Sequence, residues 1–400
     1  MGFTTLGCKV NQVDTELIAE GIRSSLGGGL PDGVAVINSC AVTAEAVAKT
    51  RKAIHRAARD PQTRVVIVTG CAAAVVGDAL AELDSKVRVV PDRSDVPAVV
   101  AGAIELFAEP VNRYDCTEVT AEPVRARRSV KIQDGCQSFC SYCIVPYARG
   151  EEHSVPLDSV VTTVRELVEG GVQEVVLTGI NIGRYRDPAS AEDLAGLIDA
   201  IRATGLHRLR LSSIEPNDVT GRLLSALSAD GFGCEHLHIP LQSGSDSTLA
   251  NMNRQYGMGE YFAVIDRVRS VWPDAAITTD LIVGFPTEGE AAWAESLANV
   301  ERIGFSKVHT FRYSRREGTA AAALPPLPPD LVRTRADAAL VAAARLVATY
   351  SERFIGAQVE VVVERIKGDL ATVTSREYLT FEVPADGLTV GQVTRVTYHG

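Results

Sequence analysis

The chain has 400 residues, of which 46% are apolar and 22% charged, with a formal net charge of −10. This composition excludes a disordered protein and, at this length, implies two or three domains with ample core. The acidic balance argues against broad, sequence-independent nucleic-acid binding, because phosphate attracts Lys and Arg. No apolar run approaches the ~20 residues that cross a bilayer, so no membrane partner is expected. The start, Met1–Gly7, runs straight into a strand-like pattern without a basic segment or apolar signal core, which reads as a cytoplasmic protein. Eight cysteines in such a chain point to metal or redox chemistry before disulfides.

Residues 1–108 alternate strand and helix. Strand runs are expected at Phe3–Leu6, Val34–Ile37, Val65–Val68 and Val87–Val90, with helices such as Asp14–Leu26 and Ala44–Ala58 between them. The alternation predicts a doubly wound parallel sheet, whose sites form at the carboxyl ends of its strands. Cys8, Cys40 and Cys71 each follow one of these strands. Cysteine is often simply buried, but three at equivalent strand exits are hard to attribute to packing, and a metal cluster is expected on them. Residues 109–128 lack an apolar period and read as a linker.

Alternation resumes with strands at Ser129–Gln133, Glu174–Thr178, Arg208–Ser212, His236–Ile239, Ala276–Val283 and Lys307–Phe311. Helical stretches such as Leu157–Glu169 and Glu288–Ile303 separate them. Six units suggest a partial βα barrel over residues 129–354, with its chemistry at the strand C-termini. Directly after the first of these strands stands Cys136-x-x-x-Cys140-x-x-Cys143. Three thiolates so close can hold three irons of a 4Fe–4S cube, leaving one iron open. A zinc knuckle is the other reading, but structural zinc takes four ligands. No suitably spaced Cys or His follows, and His153, the nearest, stands alone.

After Leu324-Pro-Pro-Leu-Pro-Pro329 an Ala-rich helix is expected at about Asp330–Phe354. Residues 355–400 then read as short strands, Val359–Val363, Leu370–Thr374, Thr380–Val383 and Val393–Tyr398, which fit a small antiparallel barrel. Arg125, Arg127, Arg128 and Lys131 form one basic cluster, and Arg312, Arg315 and Arg316 another; alone, either suits a solvated face. Cys116 and Cys234 match no cluster motif and read as ordinary thiols.

The stretch DGCQSFCSYCIVPYARG, with Tyr142 before the third cysteine, resembles the radical S-adenosylmethionine (SAM) enzymes. The two triplets, their order and the β-rich end resemble one branch of these, the methylthiotransferases, over nearly the whole chain. TLGCKVNQVDTE (Thr5–Glu16), NSCAVTAEA (Asn38–Ala46) and FRYSRREGTAAA (Phe311–Ala322) are similar to the members acting on threonylcarbamoyladenosine in tRNA. The branches for isopentenyladenosine and for a ribosomal-protein aspartate differ at Lys9-Val10.

The resemblance implies a methylthiotransferase domain, a radical SAM barrel and a C-terminal TRAM domain that helps hold tRNA. It implies two 4Fe–4S clusters, one on Cys8, Cys40 and Cys71 and one on Cys136, Cys140 and Cys143, with a reducing donor such as flavodoxin or ferredoxin. One SAM would supply the methyl group. A second would be cleaved to a 5′-deoxyadenosyl radical that takes a hydrogen from carbon 2 of the adenine. SAM contacts are implied at Tyr142, Asn181, Ser213, Glu215, Gln242, Ser243, Ile282 and Gly284. Arg315 and Arg316 are candidates for gripping the threonyl carboxylate, since Arg holds a carboxylate with two hydrogen bonds. Asn11 and Asn38 stand close to the auxiliary cysteines, though both also suit ordinary turns. Two departures stand out. Ala72-Ala-Ala74 occupies a place where the family commonly has Tyr-Ala-Gln, and the C-terminal domain sets only Arg365, Lys367, Arg376 and Arg395 against six acidic residues. An iron–sulfur or zinc protein that binds RNA without catalysis is the reading from another class; two triplets each one ligand short of closure argue against it.

Overall fold

The structure, a computed structural model, describes residues 2–26, 31–106 and 126–400. Cys116, Arg125 and most of the expected linker lie outside the described residues. No helix among the described residues is long and apolar enough to cross a membrane. The chain forms two compact units. The first joins the N-terminal segment to Gly135–Glu151 and Ser314–Thr319; the second holds Glu152–Tyr313, Ala320–Gly400 and the strands that end at Asp134.

In the first unit β1 (Gly2–Thr5), α1 (Lys9–Leu26), β2 (Val34–Ser39), α2 (Ala44–Arg59), β3 (Val65–Gly70), α3 (Cys71–Ala81), β4 (Val87–Val89) and α4 (Val96–Leu106) alternate. The strands pair in parallel in the order β1-β2-β3-β4. β2 and β3 are nearly continuous apolar runs because both sheet faces are covered. Val34, Val36, Val65 and Ile67 pack with Ile18, Ile22, Val96 and Val100 of α1 and α4. Ile37, Val66 and Val68, one residue out of phase, pack with Ile54 and Leu80 of α2 and α3. Each such aliphatic side chain, fully buried, contributes about 1.5–3 kcal/mol. α1 starts five residues earlier than its expected Asp14, which puts Asn11, Asp14 and Thr15 on turns of one helix, all buried.

The expected strand at Ser129–Gln133 is split. β5 (Arg127–Lys131) joins the barrel, while β6 (Gln133–Asp134) pairs antiparallel with β7 (His153–Ser154); between them lies α5 (Val145–Arg149) of the first unit. The cysteine loop thus leaves and returns through a short two-stranded ribbon. Then follow α6 (Leu157–Glu169), β8 (Glu174–Thr178), α7 (Leu194–Arg202), β9 (Arg208–Leu211), α8 (Gly221–Ser228), β10 (His236–His238), α9 (Asp246–Asn251), α10 (Met258–Val271), β11 (Ala276–Val283), α11 (Glu290–Ile303) and β12 (Lys307–Arg312). β5-β8-β9 and β10-β11-β12 are parallel sheets, joined among the described residues by the isolated bridges Leu209–Gly233 and Ser213–His238. A three-residue β10 is too short for a longer ladder there. Leu177, Leu209, Leu211, Leu237 and Val283 belong to its continuous core.

α12 (Pro329–Glu352) leads to β13 (Gln358–Lys367), β14 (Leu370–Ser375), β15 (Thr380–Pro384) and β16 (Val393–Thr397). The expected small barrel takes the form of an antiparallel sheet in the order β15-β14-β13-β16, whose two edge strands do not pair with each other. Within the second unit this sheet is joined to the barrel by buried charge. Glu174 opens β8 with no exposure and meets the equally buried guanidinium groups of Arg208 (2.7 Å) and Arg210 (2.9 Å) on β9. Those arginines donate onward to the carbonyls of Thr374 (3.2 Å) and Ser375 (3.0 Å) on β14, and Arg210 also to that of Arg376. Burial pushes the Glu174 carboxyl up, but Arg210, Arg208 and Arg127 more than reverse this and take it down to about 2.

Candidate functional site

The auxiliary triplet is built by the sheet itself. Register pairs Thr5 with Asn38 and Asn38 with Thr69, and Ser39 with Gly70, so β1, β2 and β3 end side by side. Cys8, Cys40 and Cys71 leave these three adjacent ends. Cys8 is exposed, and Cys40 and Cys71 are buried. Burial pushes the Cys40 thiol up, and the nearby Cys71 and Cys8 push it further, while the Val42 amide and Arg149 pull it down. Gly7 between β1 and Cys8 has φ +103°, and a Cβ there would stand 2.9 Å from the Cys40 Cβ and 3.0 Å from its Sγ. Ser39 Oγ accepts from the amides of Ala72 (3.1 Å) and Ala73 (3.2 Å), tying the end of β2 to the start of α3. Ala72 is fully buried, so a tyrosine could not occupy its place unchanged. Asn11 Nδ2 donates to Leu6 O (2.7 Å) and Ser39 O (2.9 Å), stitching the segment before Cys8 to the segment before Cys40. Asn38 donates to Asn11 O and to Thr15 Oγ1 from full burial, so both asparagines shape the ends of the strands.

The second triplet lies on irregular chain. The Cys136 amide donates to Gly150 O (3.3 Å) and that of Cys143 to Cys140 O (2.9 Å), which folds the loop back on itself. Gly135 has φ +75°, and a Cβ there would fall 1.9 Å from Glu151 O, so the neck of the loop admits glycine alone. Cys136, Cys140, Cys143 and Tyr142 are half-buried. Ile144 and Ala148, just beyond, pack with Cys71 and Ala72 of the same unit.

No group of three His, Cys, Asp or Glu among the described residues gathers round one point as a single ion requires. A four-iron cube asks for a different arrangement, because each thiolate binds its own iron. Six cysteines on two built cradles, all soft sulfur donors, fit such clusters.

Of the residues expected to touch SAM, Tyr142 lies in the first unit; the others lie in the second, Ile282 near the end of β11 and the rest beyond the ends of barrel strands. Asn181 follows β8, and its amide, with that of Ile180, donates to Gln133 Oε1 (2.7 and 3.1 Å). Its own Oδ1 is buried and has no hydrogen-bond partner among the described residues; neither has Ser212 Oγ at the end of β9. An amino or hydroxyl group of a ligand would satisfy both oxygens. Ser213 is half-buried and bridges to His238. Gln242, at φ +65°, receives the Ile282 amide on its carbonyl (2.8 Å). Glu215 is held by Arg254, although burial pushes its carboxyl up overall. Ser243 is fully buried and accepts from the Ser245 amide (3.3 Å). The Gly284 amide donates to Glu288 (2.9 Å), which Arg335 holds in turn (3.1 Å). Asn181, Ser213, Gln242 and Ile282 are thus available at the strand ends, whereas Glu215, Ser243 and Gly284 are engaged in holding the frame.

The two late arginines differ. Segment 314–319 packs in the first unit, where Ser314 Oγ accepts from the Ala44 amide (3.0 Å) and Arg316 Nη1 donates to Ala41 O (3.4 Å), next to Cys40. Arg315 is exposed. The other basic cluster is occupied by structure: Arg127 pairs with Glu364 (2.6 Å) and Lys131 with Asp134 (2.5 Å). Arg376, counted among the few basic residues of the C-terminal domain, donates to Gly233 O (2.7 Å).

Sequence reasoning did not single out Gln133, Asp14, Arg93 or Arg149. Asp14 accepts from Arg149 Nη2 (3.0 Å) and pairs with Arg93 Nε (3.2 Å). Partners so far apart in the chain leave no local pattern.

The Radical SAM superfamily matches residues 130–300, and the group described as Uncharacterized protein family UPF0004 matches residues 1–91. Threonylcarbamoyladenosine tRNA methylthiotransferase MtaB of Chlamydia pneumoniae is 33% identical over 96% of this chain and 91% of its own length. That of Thermotoga maritima is 36% identical over 90% and 85%. The tRNA-2-methylthio-N(6)-dimethylallyladenosine synthase of Syntrophus aciditrophicus is 35% identical over 79% and 73%. Among solved structures, the radical SAM methyltransferase TsrM from Kitasatospora setae superposes with a TM-score of 0.57 at 17% identity, covering 78% of this chain and 68% of that one, a likeness of fold alone. A three-cysteine loop and a βα barrel in one chain, with these matches, define a radical SAM enzyme. The chain belongs to the tRNA methylthiotransferase family of that class. Its cofactors are SAM and two 4Fe–4S clusters.

Proposed function

We propose that the protein inserts a methylthio group at carbon 2 of threonylcarbamoyladenosine, or its cyclic form, beside the anticodon of tRNA. Cys136, Cys140 and Cys143 would hold the SAM-binding cluster, and Cys8, Cys40 and Cys71 the auxiliary one. When bound, these groups supply radical and sulfur chemistry that side-chain acids and bases cannot reach. The chain's own part is to hold and orient. Tyr142 and Asn181, with Ser213, Gln242 and Ile282, would bind SAM, the orphaned Asn181 Oδ1 being suited to its amino group. Glu215, Ser243 and Gly284 would keep the strand ends in shape. The enzyme would work in the cytoplasm with a reducing partner such as flavodoxin or ferredoxin.

The observation that carries the substrate reading is the arginine pair whose second member, Arg316, reaches the residue after Cys40. Arg316 anchors its segment on Ala41 while Arg315, its neighbour, stays exposed, so a carboxylate near the auxiliary triplet would have an exposed guanidinium to meet at Arg315. A charge-assisted contact of this kind contributes about 1.5–3 kcal/mol. A relative named for dimethylallyladenosine is nearly as identical as those named for threonylcarbamoyladenosine, over less of this chain, which makes that base the second reading. The comparison that decides presents the reconstituted enzyme with tRNA carrying each modified adenosine, and separately with ribosomal protein. Turnover of threonylcarbamoyladenosine tRNA is expected, falling roughly ten- to a hundredfold in kcat/KM in Arg315→Ala. Turnover confined to isopentenyladenosine tRNA would assign the other base, and turnover confined to ribosomal protein would overturn the tRNA substrate.

A further inference from the structure

All three auxiliary cysteines lead to one buried carboxylate. Asp14, about 2% exposed, lies on α1 two turns beyond Cys8 and holds two guanidinium groups at once. One is Arg149, itself about 1% exposed, which also donates to Asn11 Oδ1 (2.5 Å) and follows Cys143 by six residues. The other is Arg93, which opens a short turn after β4. Its Nε stands 3.2 Å from Asp14 as an ion pair without hydrogen-bond geometry, and its Nη2 donates to the sulfur of Cys71 (3.5 Å). Asn11 meanwhile stitches the chain before Cys8 to the chain before Cys40. Asp14 is the carboxylate that both guanidinium groups share, so it bears on where each of them points.

We propose that Arg93, aimed by Asp14, is a positioning residue of the auxiliary cluster, donating to the Cys71 sulfur and raising the reduction potential of a cluster bound there. The inference rests on the reading that Cys8, Cys40 and Cys71 ligate that cluster. Hydrogen bonds to cluster sulfurs and nearby positive charge stabilise the more negative, reduced state. Arg149 shares the same carboxylate and lies on the helix that follows the other triplet. Asp14 therefore also couples the geometry of the two cysteine loops.

The test uses full-length protein in which Cys136, Cys140 and Cys143 are Ala, so that the auxiliary cluster alone reports. Reduction is titrated against a mediated potential scale and followed by electron paramagnetic resonance. In this background Arg93→Gln should lower the one-electron reduction equilibrium constant about tenfold, or about 59 mV. Asp14→Asn should reproduce that shift although Arg93 is still present, because the guanidinium loses its anchor. Arg93→Lys, which keeps charge but not the fork, should fall between Arg93→Gln and the parent. An unchanged potential in a folded, iron-loaded Arg93→Gln variant would overturn the assignment. A folded parent without any iron would instead overturn the cluster reading, and this inference with it.

Discussion

Replacing Cys136, Cys140 and Cys143 together by Ala is expected to abolish reductive cleavage of SAM while leaving a folded protein with half its iron. The wild type should carry about eight irons per chain and the variant about four, since each cube holds four. The expectation follows from how the two triplets are built. One sits at the ends of three paired strands, held by Asn11 and Ser39; the other sits on a loop closed at its neck by Gly135 and Gly150. Neither cradle borrows a cysteine from the other. Production of 5′-deoxyadenosine should fall to the level of protein-free controls. A variant that kept its fold but lost all eight irons would mean that the triplets are not independent sites.

The second large effect concerns stability. Glu174→Ala is expected to cost about 3–5 kcal/mol, the range for removing one partner of a buried ion pair. Arg208 and Arg210 would remain fully buried with their carboxylate gone. The same residue gives a pH dependence whose sign is set by its depressed pKa. A carboxyl at about 2 in the fold and near 4.5 in the unfolded chain contributes stability that is complete above about pH 4.5. That contribution, roughly 3 kcal/mol, is lost as pH falls from there through 2. Urea midpoints measured from pH 7 to pH 2.5 should therefore drop steeply in wild type and less steeply in Glu174→Gln. Identical acid profiles for the two would show that the seam between barrel and C-terminal sheet does not depend on this charge.

The parts of this protein legible in its sequence are those whose chemistry is local. The Cys136–Cys140–Cys143 triplet, apolar runs alternating with amphipathic stretches, and the Pro-rich break before α12 each announce themselves within a few residues, and Cys8, Cys40 and Cys71 are found by the strands they follow. The strand at Glu174–Thr178 and the one beginning at Arg208 are visible by pattern, yet their charged first residues give no hint of burial. Glu174, Arg208 and Arg210 look like solvent-facing positions until the carbonyls of β14 are brought against them. Likewise Arg127 and Lys131 read as part of a basic surface, whereas Glu364 and Asp134 neutralise them. The Asp14 hub is hidden twice over. Its partners lie 79 and 135 residues away, and α1 begins at Lys9, so that a residue expected at a helix start stands inside the helix. Strand splitting at Ile132 is equally illegible, because β5 and β6 differ only in which strand each one pairs with.

Two cysteine triplets divide the labour of the proposed reaction, and one incubation tests that division. Reconstituted wild type and Cys40→Ala are each supplied with SAM, a strong reductant and tRNA bearing threonylcarbamoyladenosine, and the digested nucleosides are analysed by mass spectrometry. Wild type should yield the methylthio nucleoside. Cys40→Ala should yield none while still forming 5′-deoxyadenosine from SAM. Methylthio product from the Cys40→Ala enzyme would contradict a sulfur-inserting role for Cys8, Cys40 and Cys71.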